Sequence, residues 1–305
     1  HVSKSHLQPE PYLPVIASFD CGLCYDKDTE VLTESGWKLF KDVDPTIDMV
    51  ATRNPDTKQM EYVLPNFKVE MPYKGVMLGW RSTELDLLVT PEHRIPVTNR
   101  ETPDKVFFRD ARFVADNPGK HLYVDLLSSW IGNDFVPPCG LTMEQYALLL
   151  GWIASDGSID KNTNRVSIAQ VKQHDDLVEL LASTPLSWGK YGINYTTTNK
   201  ELNSHICTEW GRTKKERRVS PLIKGAPVDI IRMFLHTFTR GDGCVRKRKN
   251  GAVEWVIYSS TLDLAGDLQE LIQKAGWSSS LRTQYGQTSY LDGREIVSSD
   301  GYIVT

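Results

Sequence analysis

Two things are scarce in this 305-residue chain: cysteine, at five residues, and long apolar runs. Three of the cysteines, Cys139, Cys207 and Cys244, stand alone, so no disulfide framework is spelled out. No apolar stretch approaches the roughly 20 residues needed to span a bilayer, and His1-Val2-Ser3-Lys4 does not begin a secretory signal. The expectation is a soluble, cytoplasmic protein with no membrane partner. Net charge is also low, at −4, which taken alone argues mildly against nucleic acid. Its distribution argues otherwise. From Leu141 to Tyr285 there are 19 Lys and Arg against 15 Asp and Glu, or +4, which leaves 35−19=16 against 39−15=24, or −8, elsewhere. An acidic module joined to a basic one is the pattern a nucleic-acid partner for the middle segment produces, although an unevenly charged solvated surface gives the same numbers.

What is present is one device written twice. Leu149-Leu150-Gly151-Trp152-Ile153-Ala154-Ser155-Asp156-Gly157 closes one apolar, helix-length stretch, and Leu235-His236-Thr237-Phe238-Thr239-Arg240-Gly241-Asp242-Gly243 closes another. Each is followed by β-branched segments and a further helical stretch, with the acids 242−156=86 residues apart. That period predicts a pseudo-two-fold domain. Helices ending on an acid beside a glycine deliver carboxylates and freed carbonyls to the place where they meet, and oxygen ligands suit Mg²⁺.

Local signals fix the elements around these ends. Thr142-Met143-Glu144-Gln145 is a capping box, with Leu141 and Tyr146 placed as a hydrophobic staple. Pro227 suits the first position of the second helix. Cys244–Lys249 and Ala252–Tyr258 read as a hairpin turning at Asn250-Gly251, and a helix over 261–275 stops at Gly276. Before Pro137-Pro138, short β-type segments broken by Pro, Gly and Asn predict an all-β domain from Cys24 to about Val136. The turn-rich stretch 286–305 is expected to return to that domain as strands, which makes 137–285 an insertion. Residues 1–23 are too short for a domain and read as a residual host segment, with a strand over Val15–Phe19 leading to Asp20.

Leu149–Gly157 and Leu235–Gly243 resemble the signature helices of LAGLIDADG homing endonucleases. Cys24–Thr29 with Thr90-Pro91-Glu92-His93 resembles the splicing blocks of inteins, whose large members carry such an endonuclease within an all-β, horseshoe-like Hint domain. The resemblance implies a Mg²⁺-dependent, site-specific endonuclease acting as a monomer on duplex DNA of the intein-free host gene. It implies Asp156 and Asp242 as metal-binding catalytic acids and a basic residue near the reaction centre, Lys214 or Lys215, just before the second helix. DNA contact is expected from the hairpin faces and adjoining cations: Arg165 and Lys172 in the first copy, Arg217 and Arg218 before the second helix, and Arg246, Lys247, Arg248 and Lys249 after it. A charged turn beside a solvent-facing hairpin explains any single cluster equally well. One departure stands out: Thr237 sits where the family carries a small glycine, which questions how closely the helices pack.

For self-splicing, the resemblance implies Cys24 as the nucleophile on the Leu23 carbonyl, His93 donating to the departing amine, and Thr90 orienting or polarising the carbonyl; the flanking host segments are the other partners. A redox or zinc half-site at Cys21-Gly22-Leu23-Cys24 lacks further ligands at close spacing and a following helix. Asp300-Gly301-Tyr302-Ile303-Val304 resembles the penultimate intein strand, and without the terminal Asn after it the expectation is a chain blocked in, or unable to complete, splicing. Val15–Leu23 resembles the start of the nuclease domain of phage terminase large subunits; that domain proper is disfavoured because no further acidic motif accompanies Asp20. The alternative that remains is a splicing or autocleaving protein whose endonuclease has decayed into a DNA-binding or structural insert.

Overall fold

The computed structural model describes residues 13–17, 24–54, 56–81, 85–103, 105–118, 122–124, 128–171, 174–211, 213, 215–249, 251, 253–291, 294–297 and 299–305. The chain divides into two units, His1–Ser128 and Ser129–Thr305. Among the described residues no helix is long and apolar enough to cross a membrane.

In the first unit the short alternating segments become antiparallel strands in sheets of five, four and three. One α-helix, Ala111–Asp116, interrupts them. Glu34-Ser35 turns the hairpin that pairs Thr33 with Gly36, whose φ of +112° explains the glycine. Strand Val69–Tyr73 carries Pro72 and lies at a sheet edge, where a missing N–H costs nothing. A small core of Val89, Ile95, Val97 and Ala111 holds the strands around Cys24 and His93. The lead is not set apart: Leu13–Ala17 pairs with Val69–Tyr73 on one side and Cys24-Tyr25 on the other. Asp20, Cys21 and Leu23 lie outside the described residues.

The second unit repeats itself. Its first half runs helix Met143–Asp156, strands Gly157–Asp160 and Arg165–Ala169, helix His174–Ser183, and strands Gly189–Tyr191 and Asn194–Thr198. Its second half runs helix Val228–Asp242, strands Gly243–Lys247 and Val253–Ser259, helix Leu262–Lys274, strand Leu281–Gln284 and finally Gly301–Val304. Number the four sheet strands within each half, and both sheets have the order 1-2-4-3, antiparallel throughout. Second-half strands three and four are separated by an extra hairpin, Thr288–Leu291 with Arg294–Val297. The capping box at Thr142 and Gln145 forms with both its bonds. Pro227 occupies the position just before the second helix rather than its first residue. Each signature helix presents large apolar residues to one shared core, including Leu149, Leu150, Ile153, Phe234, Leu235 and Phe238.

Two boundaries differ from the sequence reading. Gly301–Val304 does not return to the first domain: it pairs with Val253–Ser259 and Leu281–Gln284, where Val304 is fully buried against the second unit's core. The apolar run Tyr302-Ile303-Val304 is taken up by the second half-sheet, where the strand lies between Val253–Ser259 and Leu281–Gln284. The second unit also begins earlier than residue 137. Trp130 Nε1 donates to Ala226 O at 2.9 Å and Asn133 N to Gly225 O at 2.9 Å, which ties this Pro- and Gly-containing segment onto the helix Pro221–Gly225.

Candidate functional site

The two signature helices pack with almost no space between them. A Cβ on Gly151 would lie 2.7 Å from Thr237 Cβ, 3.0 Å from Phe234 O and 3.1 Å from Phe238 N. Thr237 is therefore received by the glycine of the opposite helix, and its hydroxyl is satisfied by Met233 O at 3.0 Å. The looser packing that Thr237 suggested in the sequence does not arise, because one small residue per contact is enough. At the carboxyl ends the approach is closer still. A Cβ on Gly241 would fall 2.1 Å from Ser155 Oγ and 2.6 Å from Asp156 Oδ2. Asp156 thus lies against the backbone that carries Asp242, with Asp156 half-buried and Asp242 exposed.

The surroundings of the two acids differ. Asp156 Oδ2 accepts from Gln170 Nε2 at 2.8 Å. Gly157 pairs with Ile168 and Gly243 with Ile257, so the register makes Ser259 the counterpart of Gln170. The Ser259 hydroxyl is turned away, donating to Thr261 O at 2.8 Å. Sequence reasoning passed over Gln170; aligning the halves by register, rather than by the Asp-Gly pairs alone, picks it out as a polar residue next to an acid.

Arg217 is the second residue whose place was not foreseen. It is 9 % exposed, and its guanidinium donates to Ala154 O and Gly157 O, each at 2.6 Å. These are carbonyls of the first helix's end, so the cation caps the negative pole of that helix and satisfies acceptors otherwise unpaired. Burial pushes its pKa down, with the charge of Asp242 acting against that. Arg217 is accordingly removed from the DNA-contact set. Arg218 grips Asp267 through two bonds of 2.8 and 2.7 Å while its side chain stays 38 % exposed. Helix-end carbonyls thus take the Arg217 guanidinium out of solvent.

Of the other expected cations, Lys215 is exposed, while Lys214 and Lys172 lie outside the described residues. Arg165 is exposed on the first sheet beside Asp160 and Thr198. The run Arg246–Lys249 is divided by strand alternation: Arg246 lies opposite Glu254, Arg248 also bonds Glu254, and Lys247 points the other way. Arg246 donates to Tyr258 Oη at 2.9 Å.

For a metal, the donors at the joined helix ends are two carboxylates, all oxygen. Mg²⁺ keeps several waters and is commonly held by one or two carboxylates together with substrate phosphates, so this set fits an ion completed by DNA. Among the described residues there is no cluster of three or more His, Cys, Asp or Glu suited to a metal. The Ala154 and Gly157 carbonyls each already accept from Arg217.

In the first unit Cys24, Thr90 and His93 are all buried and come together. Cys24 N donates to Thr90 Oγ1 at 3.4 Å, Thr90 N to Cys24 O at 3.0 Å, and His93 N to Thr90 O at 3.1 Å. Tyr25 packs edge-on against the His93 ring, 4.4 Å between centroids. Burial lowers the His93 pKa to about 4, leaving a neutral imidazole whose Nδ1 is buried without a hydrogen-bond partner among the described residues. Burial, with the charge of Glu92, raises the Cys24 thiol above its usual value.

With this geometry in place, comparison with known proteins gives the following. The chain is similar to a DNA-directed RNA polymerase subunit beta C-terminal section of Stigeoclonium helveticum, 25% identical over 336 residues, covering 90% of this chain and 30% of that protein. It is also similar to an ATP-dependent Clp protease proteolytic subunit of Chlamydomonas moewusii, 22% identical over 304 residues, covering 88% and 29%. The chain thus spans about three-tenths of the length of these relatives. Among solved structures, a variant of the homing endonuclease I-DmoI in complex with its target DNA and manganese is similar over 53% of this chain and 86% of that one, at 15% identity and a TM-score of 0.33. Mesophilic variants of the same endonuclease match over 53% and 87%, at 16% identity and a TM-score of 0.33. The profile of the LAGLIDADG-like domain matches residues 229–304, from the second signature helix through the closing strand Gly301–Val304.

Proposed function

We propose that this chain is an intein: a self-processing Hint unit joined to a LAGLIDADG homing endonuclease that hydrolyses both strands of a duplex DNA site. The observation that carries the nuclease reading is the meeting of the two helix ends, with Asp156 Oδ2 2.6 Å from where a Gly241 Cβ would stand. Asp156 and Asp242 would hold divalent ions there; Mg²⁺, when bound, activates water and stabilises the leaving oxygen at phosphorus. The chain's own side chains prepare that position. Gln170 fixes the rotation of the Asp156 carboxylate. Arg217 offsets the negative potential of a helix end and two acids crowded together. The exposed faces of the two sheets supply the DNA contact, and a single chain carrying both halves needs no second copy.

For the first unit the reading is an N-to-S acyl shift. The Cys24 sulfur attacks the Leu23 carbonyl carbon, the bond from that carbon to Cys24 N breaks, and a thioester forms. Thr90 Oγ1 already accepts from the nitrogen that departs. His93, neutral at pH 7, takes the thiol proton and returns it to that nitrogen, which becomes the free amine. An inserted element is supported by the relatives: an RNA polymerase subunit and a protease subunit share no activity, yet each matches nearly this whole chain over under a third of its own length. A cytoplasmic compartment belongs to the same proposal.

Two assays test these readings. Wild-type protein with Mg²⁺ is expected to cut a small set of sites in a large duplex library, while Asp156→Asn and Asp242→Asn cut none; a wild type that binds duplex without cutting favours the decayed-insert alternative. Excess dithiothreitol is expected to release the segment ending at Leu23 from wild type and from neither Cys24→Ala nor Cys24→Ser. Release from Cys24→Ala at the wild-type rate refutes the acyl shift.

A further inference from the structure

The two half-sheets share strand order and register, so their exposed faces can be compared position by position, and they differ in chemistry. On the first, Ser158, Ser167 and Thr196 stand side by side across three strands, and Asp160, Arg165 and Thr198 form the next row. One arginine is matched by one aspartate, and the row corresponding to Tyr258, Ile303 and Arg282, which is Ala169, Asn194 and Tyr191, is uncharged; the other side chains named are hydroxyls. On the second, Arg246 stands opposite Glu254, and Tyr258 lies in a row with Ile303 and Arg282. Arg248 reaches back from the strand end to pair with Glu254. Three arginines against one glutamate leave this face at +2 where the other is neutral.

Geometry confirms that these groups form one patch. Ile257, Trp255, Leu281 and Val304 of the same sheet pack toward the core, so the alternate residues lie on the opposite face, where Val256 and Ile303 are covered. Arg246 and Arg282 are exposed, and Tyr258 is anchored by Arg246. Glu254 bonds Arg248 and lies in the field of Arg246 and Arg282, which together hold its carboxyl below the usual range. A glutamate inside an arginine cluster also keeps those guanidiniums in register instead of leaving them splayed into solvent.

We infer that the second half-sheet is the electrostatic anchor of the DNA site and reads guanine·cytosine pairs, while the first half-sheet discriminates bases with hydroxyls and adds little charge. This rests on the DNA-binding reading above. Arginine pairs bidentately with guanine O6 and N7, and glutamate accepts from cytosine N4, whereas serine and threonine serve either base. Arg282, 40 residues beyond Asp242 in the chain (282−242=40), enters the site only because strands two, four and three of the half-sheet are neighbours.

The test is selection from a randomised duplex pool by the full-length chain in EDTA, followed by titration of the recovered duplex at several salt concentrations. Recovered sequences are expected to be rich in guanine·cytosine on one half-site only. R282Q and R246Q should each weaken binding about tenfold and reduce the salt slope by about one, relaxing that same half-site. T196A should relax the opposite half-site and leave the slope as it is. Equal guanine·cytosine enrichment on both halves overturns the inference, as does a slope that R282Q leaves unchanged or that T196A lowers equally. Wild type retaining no duplex at any salt overturns the DNA-binding reading itself, a result distinct from symmetric binding. Because all three substituted side chains sit on an outward face, unchanged thermal unfolding of each variant certifies the fold.

Discussion

Gly151→Ala sets two opposed effects against each other at the point where the signature helices touch. Alanine is favoured over glycine in a helix interior by about 1 kcal/mol. Against that, the new methyl would lie 2.7 Å from Thr237 Cβ and about as far as a tight contact allows from the Phe234 and Phe238 backbone, at 3.0 and 3.1 Å. Overpacking of this kind costs about 1–3 kcal/mol. The backbone atoms belong to a helix that cannot yield locally, so the clash prevails by about 1 kcal/mol net, or roughly 2–4 °C in the melting of a unit this size. Thr237→Gly in the same chain removes the nearest of the three contacts. A double-mutant cycle of Gly151→Ala with Thr237→Gly, followed by urea unfolding, should therefore return a favourable coupling of about 1 kcal/mol. Gly151→Ala melting at or above the wild-type temperature, with no coupling to residue 237, would mean that the helices do not meet as described.

Three further outcomes follow from buried polar groups. Asp267 is 2 % exposed: burial raises its pKa, but the bonds and charges of Arg218 and Lys224 outweigh that and leave it lowered. Its stabilisation is complete above the unfolded aspartate pKa and is lost as pH falls through the lower folded value, so Asp267→Asn should cost about 3 kcal/mol at pH 7 and progressively less in urea melts below about pH 4. His93 is held neutral with a folded pKa of about 4, below its unfolded value; stability is intact above about pH 6.5 and declines from there toward pH 4, and His93→Gln should flatten that part of the unfolding profile of the first unit. Gln170→Leu removes the amide that Asp156 accepts from, and should lower the cleavage rate about tenfold or more with duplex affinity unchanged, as separated by single-turnover kinetics against equilibrium binding.

What the sequence made legible was whatever a local signal marks. The Thr142 capping box, the Gly276 stop and the two Asp-Gly endings are short-range devices whose physics is complete within a few residues, and each helix formed where they stood. The repeat was readable because its period lies in the chain. Strand partnership was not: Gly301–Val304 is the fourth strand of the second half-sheet, yet the hairpin at 288–297 intervenes and disguises it as a separate β tail. An alternating strand announces that one of its faces needs a core, never which core.

The same limit explains why Arg217 was sorted wrongly. Arg217 and Arg218 sit in a Lys/Arg-rich run that reads as one solvent-facing cluster, because charge density is a property of sequence while burial is a property of what happens to pack above it. In the fold the two turn to different buried acceptors, one to helix-end carbonyls and one to Asp267. The placement of Arg217 also resolves a difficulty inherent in bringing helix ends together. Two helix C-termini, each with a partial negative charge and each finished by an aspartate, repel one another, and close approach of their backbones makes that worse. A full positive charge lodged at the end of one helix and within the field of the other's acid offsets the repulsion without occupying the carboxylates. If that is its role, Arg217→Met should leave the helices unable to hold their acids together, and Arg217→Lys, with one point charge in place of a fork, should restore only part of what is lost. The discriminating measurement is ionic strength: salt screens the repulsion, so Arg217→Met should regain melting temperature as salt rises, by several degrees relative to wild type. A deficit that persists unchanged at high salt would assign Arg217 to hydrogen bonding alone and leave the mutual repulsion of the helix ends without an answer.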